Sequence, residues 1–126
     1  MDAEEPKETQ QQEVRTEEER IDYEKFSKVN LQTATVIEAE RVPNSDKLLR
    51  MQIDLGREKR QLVAGIAESY SPEEMVGKQI IVVANLQPRK IRGVESDGML
   101  LAVQGQDGRI VLLSPETKAE NGLRVQ

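Results

Sequence analysis

Leu62-Val63-Ala64-Gly65-Ile66, then Ser71-Pro72-Glu73-Glu74-Met75-Val76-Gly77, then Gln79-Ile80-Ile81-Val82-Val83-Ala84-Asn85-Leu86: this stretch decides the architecture. Its ends are β-branched apolar runs of strand length. Its middle is a short helix with its own start and stop. Ser71 suits the N-cap and Pro72 the first helical position, while Glu74 stands three residues after Ser71 and completes a capping box. Gly77 stops the helix about one turn later. The run from Gln79 is almost continuously apolar, as befits the most deeply buried strand.

Outward from that centre, the chain reads as short strands between turns. Val29 to Ile37 is β-rich, with its phase slipping near Ala34, and residues 41–46 are turn chemistry containing Pro43, Asn44 and Asp46. Leu49, Met51, Ile53 and Leu55 alternate with Arg50, Gln52 and Asp54, which is the pattern of a half-buried strand. Residues 56–58 connect it tightly to a strand from Lys59 to Ile66. Downstream, residues 87–97 read as a long loop and residues 98–103 as a strand. Asp107-Gly108 is a hairpin turn between residues 98–103 and 109–113. Leu123-Arg124-Val125 is a short extended piece at the end. Five main strands, Gly/Pro turns and a single connecting helix between the third and fourth predict an all-β chain. The expected form is a five-stranded OB-fold barrel with a C-terminal strand extension. A β-sandwich would not predict a capped helix at that point.

The 126 residues suit one domain. The expected division is an acidic, disordered tail or linker over residues 1–20 and the barrel over residues 21–126. Residues 1–26 carry ten acidic and four basic side chains, a net of −6, and the other 100 residues sum to +1. The lead holds too little apolar surface to offset the entropy of ordering it. It reads as a disordered tail or as the end of a longer linker, and the sequence leaves open whether Met1 is a natural start. Without His or Cys there is no imidazole base, thiol nucleophile, Cys/His metal cluster or disulfide. No apolar run approaches the roughly 20 residues of a membrane helix. With an acidic N-terminus in place of a signal peptide, a cytoplasmic setting is expected.

No catalytic set emerges. Glu73 and Glu74 are adjacent on a helix and do not face one another, and the capping box accounts for Glu74. Gly77-Lys78-Gln79 lacks the upstream Gly and the Ser/Thr of a P-loop. No cofactor is expected. The basic residues, by contrast, gather at turns: Lys47 and Arg50; Arg57, Lys59 and Arg60; Arg89, Lys90 and Arg92. A barrel that brings them to one rim would present converging cations for phosphate. Tyr23, Phe26 and Tyr70 are the only aromatics, and the first two read as a plug for one end of the barrel. Base stacking, the mainstay of single-strand binders, is nearly unavailable. A polyanion would be read by charge and shape, as folded RNA is. Asn85 is suited to loop backbone or RNA, and Ser96 and Met99 bracket Gly98 at the mouth of the next strand.

Three ordered motifs now carry a resemblance: Ser45-Asp46-Lys47-Leu48, Asn85-Leu86-Gln87-Pro88-Arg89-Lys90-Ile91-Arg92-Gly93, and Ser96-Asp97-Gly98-Met99-Leu100-Leu101-Ala102. Over residues 21–126 the chain resembles the tRNA-binding domain family. Its branch is that of the C-terminal domain of methionyl-tRNA synthetase, through Asp54-Leu55-Gly56 with Glu58-Lys59-Arg60 and through Leu112-Leu113-Ser114-Pro115. The resemblance implies an OB-fold that binds tRNA with little preference among species, and a symmetric homodimer helped by the C-terminal extension. It also implies that aminoacylation is performed by a separate catalytic part of the synthetase. Carried over by position, the RNA-facing residues are Lys47, Lys59, Arg60, Asn85, Lys90, Arg92, Ser96 and Met99. The dimer interface is expected at Ile110, Leu112, Leu123 and Val125. Gln32-Thr33-Ala34-Thr35 stands where many members have Arg-Val-Gly-Lys, and Gln87 replaces a common Lys, so three family cations are missing. A dimerisation module with weak RNA binding, or a free-standing chaperone-like OB protein, are the alternatives.

Overall fold

The computed structural model describes residues 18–126. Most of the acidic lead, and with it the reading of residues 1–17 as disordered, lies outside the described residues. The elements are α1 (Tyr23–Ser27), β1 (Leu31–Arg41), β2 (Leu49–Asp54), β3 (Lys59–Ala64), α2 (Pro72–Met75), β4 (Gln79–Val83), β5 (Arg89–Ile91), β6 (Val94–Ser96), β7 (Met99–Leu100), β8 (Ala102–Gln104) and β9 (Ile110–Leu112). Five strands form an antiparallel sheet in the order β3-β2-β1-β4-β7. The sheet curls until its outer edges meet. The Asp97 N–H donates to the Gln61 carbonyl at 2.8 Å, and the Gln61 amide donates to the Glu95 carbonyl at 2.8 Å. This is the expected OB-like barrel.

The alternation in β2 is realised as read, with Leu49, Met51, Ile53 and Leu55 inside. Val36, Leu62, Met75, Ile80 and Val82 complete the core. β1 is longer than its sequence suggests. A register shift between Val36 and Glu38 re-phases the strand, so it continues to Arg41. The capping box of α2 is present in both directions, Glu74 N–H to Ser71 Oγ at 3.1 Å and Ser71 N–H to Glu74 Oε1 at 2.8 Å. The helix seals the barrel through buried Met75.

Three features depart from the sequence reading. Residues 87–97 are not a plain loop but contain a hairpin, β5–β6, with Arg89 paired to Ser96 and Ile91 to Val94. Its turn holds Arg92 in the left-handed region at φ 52°. Three-residue strands interleaved with basic side chains carry too little apolar pattern to be seen. Residues 98–103 divide into β7 and β8. Tyr23 and Phe26 do not plug the barrel: α1 buries none of its residues, and Tyr23 is 81% exposed.

The C-terminal extension takes the edge of β1 that β2 leaves. Val125 N–H donates to the Leu31 carbonyl at 2.8 Å, Thr33 N–H to the Leu123 carbonyl at 3.0 Å and Gly122 N–H to the Thr33 carbonyl at 2.7 Å. A Cβ on Gly122 would fall 2.2 Å from the Leu55 carbonyl oxygen, so only glycine allows this approach.

Candidate nucleic-acid interface

The candidate site is built along the seam where the barrel closes. The segment that leads into β7 lies against β3, through the Asp97–Gln61 bond and through Ser96 Oγ, which accepts from the Val63 N–H at 3.0 Å. Because β2 is antiparallel to both β1 and β3, and β4 is antiparallel to β1, the β5–β6 hairpin that follows β4 is rooted at the Lys59 end of β3. Lys47 flanks the opposite, Ala64 end, its carbonyl accepting from the Ala67 N–H at 2.9 Å. Lys47, Lys90 and Arg92 are all exposed, and the hairpin that carries the last two is rooted away from Lys47. Arg89 follows on the hairpin.

Lys59, Arg60, Asn85 and Met99 belong to the end at which the hairpin is rooted. Lys59 pairs with Asp54 at the β2–β3 turn, whereas Ala64 pairs with Leu49. Five strand steps separate the two, roughly 17 Å at about 3.3 Å per residue. Met99 pairs with Val83, and the neighbouring Ala84 carbonyl accepts from Arg60 Nη1. The expected single mouth is thus corrected to a track with cations at both ends. The cause is topological: the turns that carry the cations alternate between the two ends of the barrel.

Two of the expected contacts are already engaged. Ser96 is 1% exposed, and its hydroxyl donates to the Gly98 carbonyl at 3.1 Å while accepting from Val63. It does not face a ligand; it closes the barrel. Gly98 sits beside it at φ +132°, where a Cβ would lie 3.0 Å from Leu62 Cδ2. Asn85 holds the approach to β1. Its Oδ1 accepts from the Asn30 N–H at 2.8 Å, and its Nδ2 donates to the Lys28 carbonyl at 2.7 Å. The residue remains exposed.

Arg60 is mostly covered, its side chain 18% exposed, with Nη2 donating to Glu58 at 2.9 Å and Nε 3.8 Å from the Asp97 carboxylate. The hydrogen bond from Arg60 holds the Glu58 carboxyl below the usual carboxylate value. Arg50 pairs with Glu40, and Arg57 reaches Gln32 at 3.4 Å. Of the turn cations singled out from the sequence, Lys47, Lys59, Arg89, Lys90 and Arg92 are exposed and make no ion pair among the described residues, whereas Arg50 and Arg60 are paired.

The substituted first strand has its own use. Thr33 Oγ1 donates to the Glu120 carbonyl at 2.7 Å and accepts from the Leu123 N–H at 3.0 Å, and Thr35 Oγ1 bonds Asn121 Oδ1 at 2.7 Å. Gln32 and Thr33 are buried. Thr35, at the place of a family Lys, and Thr33, at that of a Val, fasten the C-terminal extension.

The expected interface residues divide as well. Ile110 and Leu112 turn inward and pack against the core, because the β8–β9 register sends Val103 and Val111 outward as a cross-strand pair. Leu123 and Val125 stay 47% and 40% exposed. Val125 shares a cleft of about 430 Å³ with Tyr23 and Phe26, which the sequence reading did not assign to an interface. No group of three or more His, Cys, Asp or Glu side chains is gathered for a metal among the described residues. None of their helices is long and apolar enough to cross a membrane.

The profile of a family described as "Putative tRNA binding domain" matches residues 31–124. The chain belongs to this tRNA-binding domain family. The domain is 56% identical over 112 residues to the methionine–tRNA ligase of Thermotoga maritima, covering 89% of this chain and 18% of that protein. It is 49% identical over 122 residues to the methionine–tRNA ligase of Caldanaerobacter subterraneus subsp. tengcongensis, covering 94% and 19%. The chain therefore spans less than a fifth of the length of these relatives. Among solved structures, the domain superposes on a MetRS-related protein from Pyrococcus horikoshii with a TM-score of 0.81 at 38% identity. It superposes on the chaperone CsaA of Bacillus anthracis with a TM-score of 0.78 at 31% identity. Each comparison covers 86% of this chain and all of the other.

Proposed function

We propose that the domain binds folded tRNA along the barrel seam and serves as a non-catalytic affinity and dimerisation appendix of methionyl-tRNA synthetase in the cytoplasm. The observation that carries the reading is a set of exposed cations on a family tRNA-binding barrel: Lys59 at one end, with the hairpin of Lys90 and Arg92 rooted beside it, and Lys47 at the other. With so few aromatics, the contacts are charge and shape rather than stacking, and selectivity among tRNA species is low. Aminoacylation belongs to the catalytic part of the same synthetase.

Titration of bulk tRNA at several salt concentrations tests this. About 4–6 phosphate contacts give a log–log slope near −3 to −5. A flat salt response, or no binding at low salt, rejects the reading in favour of a chaperone-like barrel, which an unfolded client protein would reveal in the same assay.

Dimerisation is the second component, and it is favoured by the apolar side chains left open at one end: Tyr23, Phe26, Leu123 and Val125. A self-complementary interface over this face would bury them. Sedimentation at low concentration should give a dimer that Leu123→Asp with Val125→Asp dissociates. A wild-type monomer that still binds tRNA removes dimerisation from the proposal.

A further inference from the structure

The β5–β6 hairpin has three residue pairs, and Arg89, Lys90 and Glu95 are exposed. A two-stranded ribbon of that size is at best marginally stable alone. Its order is imposed where it joins the barrel, at Ala84 on the way out and at Asp97 on the way back. One side chain reaches both junctions. Arg60 Nη1 donates to the Ala84 carbonyl, and Arg60 Nε lies 3.8 Å from Asp97 Oδ2, while Nη2 is anchored by Glu58 at 2.9 Å. Each partner lies against a different nitrogen of one planar group. A guanidinium satisfies them together, whereas an ammonium on a flexible stem does not.

We propose that Arg60 is a positioning residue: it clamps the two feet of the hairpin and so holds Lys90 and Arg92 in place for a polyanion, without itself contacting phosphate. The mechanical part stands on the geometry alone, and its consequence for tRNA rests on the function proposed above. The resemblance counts Arg60 among the RNA-facing cations. With its side chain mostly covered and two carboxylates beside it, little of its charge is left for a phosphate.

Amide hydrogen exchange of the full chain, free of RNA, tests the clamp in Arg60→Gln, Arg60→Lys and Asp97→Asn. In both Arg60 variants the amides of residues 89–96 should exchange about tenfold faster or more, with β1 and β2 within about twofold of wild type. Hairpin amides at wild-type rates, or a barrel that loosens as a whole, overturn the proposal. Should the Arg60 variants fail to fold, Asp97→Asn keeps the guanidinium and should still speed exchange over residues 94–97; no change there overturns it equally.

Bulk tRNA supplies the second readout. Arg60→Lys should weaken binding at an unchanged salt slope, because no phosphate contact is lost. A slope shallower by about one contact, with normal hairpin exchange, makes Arg60 a phosphate ligand and refutes the clamp. If wild-type protein binds no tRNA, the proposed function fails while the exchange data still decide the clamp.

Discussion

Replacing Ser96 by Ala tests the barrel closure. The side chain is 1% exposed and its hydroxyl serves two backbone groups, the Val63 N–H at 3.0 Å and the Gly98 carbonyl at 3.1 Å. The substitution removes one oxygen and leaves both groups short of a partner on the seam between β3 and β6. A buried group left unpaired costs about 1–3 kcal/mol, so the two together should cost about 2–6 kcal/mol. That is a large part of the 5–15 kcal/mol of a typical small domain, and it corresponds to a fall in Tm of roughly 10 °C or more. Urea unfolding followed by circular dichroism should show a lower midpoint at an unchanged slope, since the area exposed on unfolding is the same. The salt dependence of tRNA binding by the folded variant should match wild type. A stability loss under about 0.5 kcal/mol would show that the two backbone groups find other partners. A shallower salt slope at full stability would show that Ser96 touches RNA after all. Either outcome defeats the closure argument.

Lys90→Ala with Arg92→Ala should weaken tRNA binding and make the salt slope shallower by about two contacts; retained affinity removes the hairpin from the interface. Thr33→Val keeps shape but loses both hydroxyl bonds to the C-terminal extension, so it should cost about 1–3 kcal/mol and speed amide exchange over residues 122–125. Unchanged protection there contradicts the fastening role. The Glu58 carboxyl should titrate below an ordinary glutamate by NMR and return to the ordinary value in Arg60→Gln. Since folding lowers this carboxyl's pKa, its contribution to stability is present at neutral pH and fades as pH falls through the folded value. An ordinary midpoint in wild type would mean that the ion pair does not form in solution.

Much of the fold was legible because its signals are local. The alternation of Leu49, Met51, Ile53 and Leu55 states which face of β2 is buried, and Ser71, Pro72 and Glu74 state where a helix begins. The β5–β6 hairpin was not legible, because its order comes from contacts with β3 and Arg60 rather than from its own apolar pattern. The phase of β9 misled for the same kind of reason. Ile110 and Val111 are equally apolar, and only packing against the core determines which one faces water.

The candidate site followed the same division. Composition and motif order pointed to the ligand class proposed above: cations at turns, hardly any aromatics, and three ordered family motifs. These are properties of residue types and spacing, and folding does not alter them. Which cations remain open was settled by tertiary structure alone. Arg60 and Lys59 are neighbours in the chain, yet the first points to Ala84, Glu58 and Asp97 while the second stays in solvent. Ser96 reads like a surface hydroxyl until the barrel closes over it. Availability for binding depends on what else lies within hydrogen-bonding reach, and the partners that matter can be remote in the chain: Ala84 is 24 positions from Arg60, and Val63 is 33 from Ser96.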